Sequence, residues 1–157
     1  EQRYALDIIA NERKSGDRAQ LESYPCFGMP LLAPTSGVVR QLENNLPDVA
    51  IGDSDTQNLA GNHLVIEMAP EQYLLLAHLK QHSIQVALGD TVTPGQTLAQ
   101  CGNSGNTSEP HLHMQVQDTV DMFQANKTYP LLFADAAGPS RFARANSIIP
   151  AAKSVRR

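Results

Sequence analysis

Short stretches in which apolar and polar side chains alternate, or in which aliphatic residues cluster between turn formers, recur at residues 4–9, 37–42, 63–68, 73–79 and 112–116. Successive side chains of an extended strand point to opposite faces, so these runs predict strands. Between them stand Pro30, Pro34, Gly37, Pro47, Gly52, Gly61, Gly89, Pro94, Gly95, Gly102 and Gly105. A helix interior would not tolerate that punctuation, and no long helix is expected before residue 120. Residues 44–62 are polar and carry Pro47, Asp53, Ser54 and Asp55, the pattern of a long surface loop. Residues 86–99 hold short apolar pieces separated by two turns, which suits a tight corner between small strands. After Asp135 the pattern weakens into a segment with Arg141, Arg144, Lys153, Arg156 and Arg157, read as a solvated or packed-down tail. The pattern as a whole predicts an all-β domain.

A length of 157 residues suits one core, and 41% hydrophobic with 18% charged residues excludes a wholly disordered chain. The net charge of −4 offers no general attraction to nucleic acid or anionic lipid. The longest apolar runs, such as 74–79, are far shorter than the roughly 20 residues needed to cross a bilayer. The sequence begins at Glu1 rather than Met, so an upstream part, with any targeting segment, is expected to have been removed.

The chemistry concentrates in the histidines. His111 and His113 are separated by one residue on a predicted strand, which turns both imidazoles to one face. Neutral imidazole ligates zinc and also serves as a general base near neutral pH. The plain alternative is two polar residues on the wet face of a half-exposed strand. The preceding run Gly102-Asn103-Ser104-Gly105-Asn106-Thr107-Ser108-Glu109-Pro110 is expected to form a tight loop that brings backbone N–H groups close to a substrate. His78 closes an apolar run that reads as a central strand, where a lone histidine is usually a satisfied core or edge residue. Asp7 stands among Ala5, Leu6, Ile8 and Ile9, and a carboxylate buried there needs a partner. A salt bridge to Arg3 on the same face and ligation of a metal are the two candidates. Cys26 and Cys101 are either one disulfide or two buried thiols.

Taken together, several pieces in order resemble the lysostaphin-type zinc metallopeptidases. They are Ala5-Leu6-Asp7-Ile8, the run Gly28-Met29-Pro30 through Gly37-Val38-Val39, Gly61-Asn62-His63-Leu64, Leu76-Ala77-His78-Leu79, Gly89-Asp90-Thr91-Val92-Thr93-Pro94-Gly95-Gln96, Gly102-Asn103-Ser104-Gly105 and Pro110-His111-Leu112-His113. The resemblance spans roughly residues 3–117. It implies an antiparallel β-roll, similar to a barrel sandwich, with a groove over the central sheet, occupying residues 1–134 ahead of a basic tail at 135–157. It implies Zn2+ held by Asp7 and His113, with His111 as general base toward the attacking water and His78 steadying charge on the scissile carbonyl oxygen. The implied substrate is peptidoglycan peptide, cut outside the cytoplasm, in the periplasm or the extracellular space. It also implies a Cys26–Cys101 disulfide, because the segments that carry these cysteines lie near one another in that fold.

The sequence departs from the family at the position four before the aspartate. The family's first histidine ligand is replaced there by Arg3, whose guanidinium stays protonated and cannot ligate metal. Leu76 also stands where the family often has Tyr. The missing ligand is expected from an upstream segment, from another side chain such as His63, or from nowhere, leaving a degenerate member that binds wall fragments or a partner hydrolase. A carrier module is a weaker reading of residues 89–99, since Lys14, Lys80, Lys127 and Lys153 lack the hairpin-tip setting that a lipoyl or biotinyl lysine needs.

Overall fold

The computed structural model describes residues 3–10, 16–133 and 141–142. Its elements are β1 (Leu6–Ile8), a 3-10 turn at Leu21–Ser23, β2 (Pro30–Leu32), β3 (Gly37–Glu43), β4 (Asn62–Ala69), β5 (Gln72–Leu79), β6 (Thr91–Val92), β7 (Thr97–Gln100), β8 (Leu112–Gln117), β9 (Thr128–Tyr129), β10 (Leu132–Phe133) and β11 (Arg141–Phe142). The runs expected from alternation are β1, β3, β4, β5 and β8, and the domain is all-β with antiparallel pairing. The expected tail at 135–157 lies outside the described residues apart from β11. Among the described residues, no helix is long and apolar enough to cross a membrane.

The main sheet has the order β1-β8-β5-β4-β3-β6, with β9 pairing β8 beyond the end of β1. β2 and β7 form a separate two-stranded layer. Alternation along the central strands divides their side chains cleanly. Leu64 and Ile66 of β4, Leu74 and Leu76 of β5, and Leu112, Met114 and Val116 of β8 meet Val39, Val92, Leu98 and Ala99 in the main core. The opposite face carries a smaller apolar set, Val65, Leu75 and Ala77, and beside it His113, Gln115 and Gln117 of β8. One face therefore stabilises the fold while the other is free to carry polar chemistry.

Cys26 and Cys101 are disulfide-bonded, with Cα atoms 5.8 Å apart. The bond ties the segment before β2 to the end of β7, where Gly28 N–H donates to the Cys101 carbonyl at 2.8 Å and Cys101 N–H to that of Met29 at 2.9 Å. Residues 44–61 form the expected loop, but it is stitched down. Val49 N–H donates to the Asn103 carbonyl and Asp55 N–H to that of Gly105, both at 3.0 Å.

Candidate active site

A groove of about 700 Å³ lies over the polar face of the main sheet, with Asp7, His78, His111 and His113 among its lining residues. Pairing of β1 with β8 sets Asp7 directly opposite His113. His113 Nδ1 and Asp7 Oδ1 are 2.8 Å apart, a charge-assisted hydrogen bond, and His111 Nε2 is 3.6 Å from the same oxygen. All four residues singled out from the sequence are therefore brought together, although His111 sits just before β8 rather than within it.

Two expectations need correction. The Asp7 side chain is 63% exposed, because β1 is an edge strand, so burial does not explain its need for a partner. Nor does it pair with Arg3: its ion-pair partners among the described residues are His111 and His113, and the Arg3 guanidinium lies 5.4 Å from the centre of the Tyr4 ring. His63 is likewise excluded as a ligand. It does not line the groove; its Nδ1 donates to the Gly61 carbonyl at 2.8 Å, and its Nε2 meets the Gln41 amide at 3.2 Å.

His78 reaches the groove by a device that alternation hides. Leu74 and Leu76 belong to the main core, so strict alternation would send His78 there as well. Pairing between β4 and β5 slips at this point, with Ala77 and His78 opposite the single residue His63, and His78 adopts φ +61°. This β-bulge with a left-handed residue re-aims the imidazole onto the face of Ala77. The sequence offered no signal for it, because non-glycine residues in this conformation are uncommon.

The loop at 102–110 does something other than expected. Gly102 N–H is taken up by the His78 carbonyl, Asn103 N–H by Asp48, and Asn106 N–H by the Leu59 carbonyl, so these donors do not face a substrate. The loop holds the histidines instead. His78 Nδ1–H donates to the Ser104 carbonyl at 2.8 Å, and His111 Nδ1–H to the Glu109 carbonyl at 2.8 Å. A carbonyl only accepts, so both rings carry a hydrogen on Nδ1, and in the neutral ring the lone pair sits on Nε2. Thr107 was not singled out from the sequence; its buried hydroxyl lies 3.2 Å from His111 Nδ1, 2.9 Å from the Glu109 carbonyl and 3.2 Å from Asn103 Oδ1.

The pKa of His78 is lowered to about 4, chiefly by burial and also by nearby His111 and His113, against the raising effects of the Ser104 hydrogen bond and Asp7. His78 is consequently neutral at pH 7. Neutral His78 commits its one N–H to the Ser104 carbonyl. The resting ring keeps a proton acceptor at Nε2.

The metal chemistry is tested by the donors themselves. Asp7 and His113 offer one carboxylate oxygen and one imidazole nitrogen, donors of the type zinc prefers, and the hydrogen shared between them occupies a position a cation could take. His113 Nε2 is buried without a partner. These residues fit two positions of a zinc site. Among the described residues, no group of three or more His, Cys, Asp or Glu side chains is arranged to enclose an ion.

A sequence model described as Peptidase family M23 matches residues 23–125, which include all three groove histidines and begin after Asp7. Among solved structures, the antimicrobial peptidase lysostaphin from Staphylococcus simulans is 21% identical with a TM-score of 0.51, covering 78% of this chain and 40% of that one. LytU is 26% identical with a TM-score of 0.49, over 80% of this chain and 84% of that one. The catalytic domain of the prophage-encoded M23 protein EnpA from Enterococcus faecalis, solved as a point mutant, is 19% identical with a TM-score of 0.44, over 71% and 81%. This chain thus spans less than half the length of the lysostaphin chain it matches.

Proposed function

Because the chain belongs to peptidase family M23, we propose that it is a zinc endopeptidase that hydrolyses peptide bonds of bacterial peptidoglycan. The observation that carries the reading is the 2.8 Å approach of Asp7 to His113 in a groove shared with two further imidazoles. Asp7 and His113 would hold the ion, and His111 Nε2 lies beside them, 3.6 Å from the same carboxylate oxygen. Bound zinc would supply Lewis acidity, polarising the carbonyl and acidifying water.

The chain's own groups handle the proton. His111 in its neutral form presents the Nε2 lone pair beside Asp7, with its ring held from behind by Glu109 and Thr107. As water oxygen bonds to the carbonyl carbon, His111 Nε2 takes the water proton. It returns that proton to the leaving amine as the C–N bond breaks. His78, whose ring centre lies 4.7 Å from that of His111, is a second neutral acceptor in the groove. The wall substrate and the disulfide favour a location outside the cytoplasm.

Metal analysis and cleavage assays test this reading together. After zinc supplementation and desalting, the protein should carry about one equivalent, and Asp7→Ala or His113→Ala should abolish it. His111→Ala should keep the metal and lose at least about a hundredfold in kcat on cell-wall peptides. Less than a tenth of an equivalent, with cleavage unaffected by a chelator, would remove the proposal. The exposed Arg3 at the family's first ligand position favours a second reading, a wall-binding member without catalysis; it requires fragment binding that survives His111→Ala and His113→Ala together.

A further inference from the structure

Gln115 and Gln117 follow His113 on the groove face of β8, and both are buried almost completely. The Gln117 amide is oriented by its neighbours: its nitrogen Nε2 donates to the Thr119 carbonyl at 2.8 Å and lies 3.3 Å from that of Val120. Its oxygen therefore faces the other way and accepts from Gln115 Nε2 at 2.9 Å. That bond in turn fixes the Gln115 amide, leaving its oxygen Oε1 without a partner. The other buried side-chain polar atom without a partner among the described residues is His113 Nε2, two residues back on the same face.

The two orphans share a face but are not hydrogen-bonded to each other. In a neutral His113 ring whose Nδ1–H donates to Asp7, Nε2 carries a lone pair, and a lone pair gains nothing from a carbonyl oxygen. Moving the hydrogen to Nε2 converts it into a donor with a buried acceptor on its own face. The same shift leaves the lone pair on Nδ1, beside the Asp7 carboxylate, where a cation would need it. We propose that Gln115, oriented by Gln117, is a positioning residue that selects the metal-competent tautomer of His113 by accepting its Nε2–H. The inference rests on the zinc reading above, and it assigns Gln115 and Gln117 a purpose that core packing does not require. Outer hydrogen-bond partners of ligating histidines commonly change metal affinity by about 10–100-fold.

Zinc affinity and nitrogen-15 NMR of the histidine rings in the full chain test it. Gln115→Met keeps length and volume but has no acceptor, and should weaken zinc binding about 10–100-fold. Gln115→Glu keeps an acceptor and should bind within about threefold of the parent. In the zinc-loaded parent the His113 hydrogen should sit on Nε2 and exchange slowly with solvent; in Gln115→Met that protection should disappear. Equal zinc affinity of the parent and Gln115→Met would overturn the relay while leaving the zinc reading intact, whereas a parent that binds no zinc would overturn both. If Gln115→Met does not fold, the parent alone decides: zinc on Nε2, with the hydrogen on Nδ1, overturns the inference.

Discussion

Lowering the pH should destabilise this domain through His78 by an amount the site itself sets. In the unfolded chain an imidazole titrates near 6.5, whereas burial holds His78 at about 4 in the fold. A depressed histidine pKa means that the unfolded state binds the extra proton. Its penalty is absent above about pH 7, grows as pH falls through 6.5, and levels off below about 4. At pH 5 the unfolded imidazole is almost wholly protonated and the folded one is about nine-tenths neutral; integrating from pH 7 to pH 5 gives about 2 kcal/mol lost. The assay is urea unfolding of metal-free protein at both pH values, for the parent and for His78→Asn, since asparagine tolerates the left-handed backbone at φ +61°. Groups outside the groove are common to both proteins, so the difference of differences reports on His78 and its immediate neighbours. A pH-dependent loss in His78→Asn within about 0.5 kcal/mol of the parent's would refute the assignment of a buried neutral imidazole.

Three further outcomes follow from the same packing. The Cys26–Cys101 bond spans 75 residues, for which loop-closure entropy gives about 4.5 kcal/mol, so Cys26→Ala with Cys101→Ala should lower unfolding free energy by about 3–5 kcal/mol in denaturant titration. Thr107→Val removes one hydrogen bond that orients His111; at about 1–1.5 kcal/mol it should lower kcat about tenfold with KM within about twofold, and Thr107→Ser should restore it. Gly61 adopts φ +58°, and a Cβ there would overlap the Ser104 carbonyl and hydroxyl. Gly61→Ala should cost about 2–4 kcal/mol by thermal unfolding and should also disturb His78, which hangs from that carbonyl.

Much of this was legible in the chain. Alternation at 63–68 and 73–79 announced β4 and β5, and the spacing of His111 and His113 announced their common direction, because both signals are local. Asp7 stands out in the sequence for a reason the fold does not keep. A carboxylate among apolar residues reads as buried, but the edge position that leaves it exposed depends on which strand pairs with which, a non-local fact. β2 and β7 were too short to show alternation of their own. The left-handed bulge at His78 arises from a mismatch of register between two strands, visible only once they are paired. The Gln117-to-Gln115 chain is hidden for a related reason, since alternating polar residues on one strand face read equally well as a wetted surface.

A cation shared by Asp7 and His113 is the centre of the proposed chemistry. Anomalous X-ray scattering measured at the zinc edge, on crystals of zinc-supplemented protein, addresses it directly. The expected result is a peak within coordination distance, about 2.0–2.2 Å, of Asp7 Oδ1 and His113 Nδ1. A groove with no such peak, and with the Asp7–His113 hydrogen bond still in place, would contradict it.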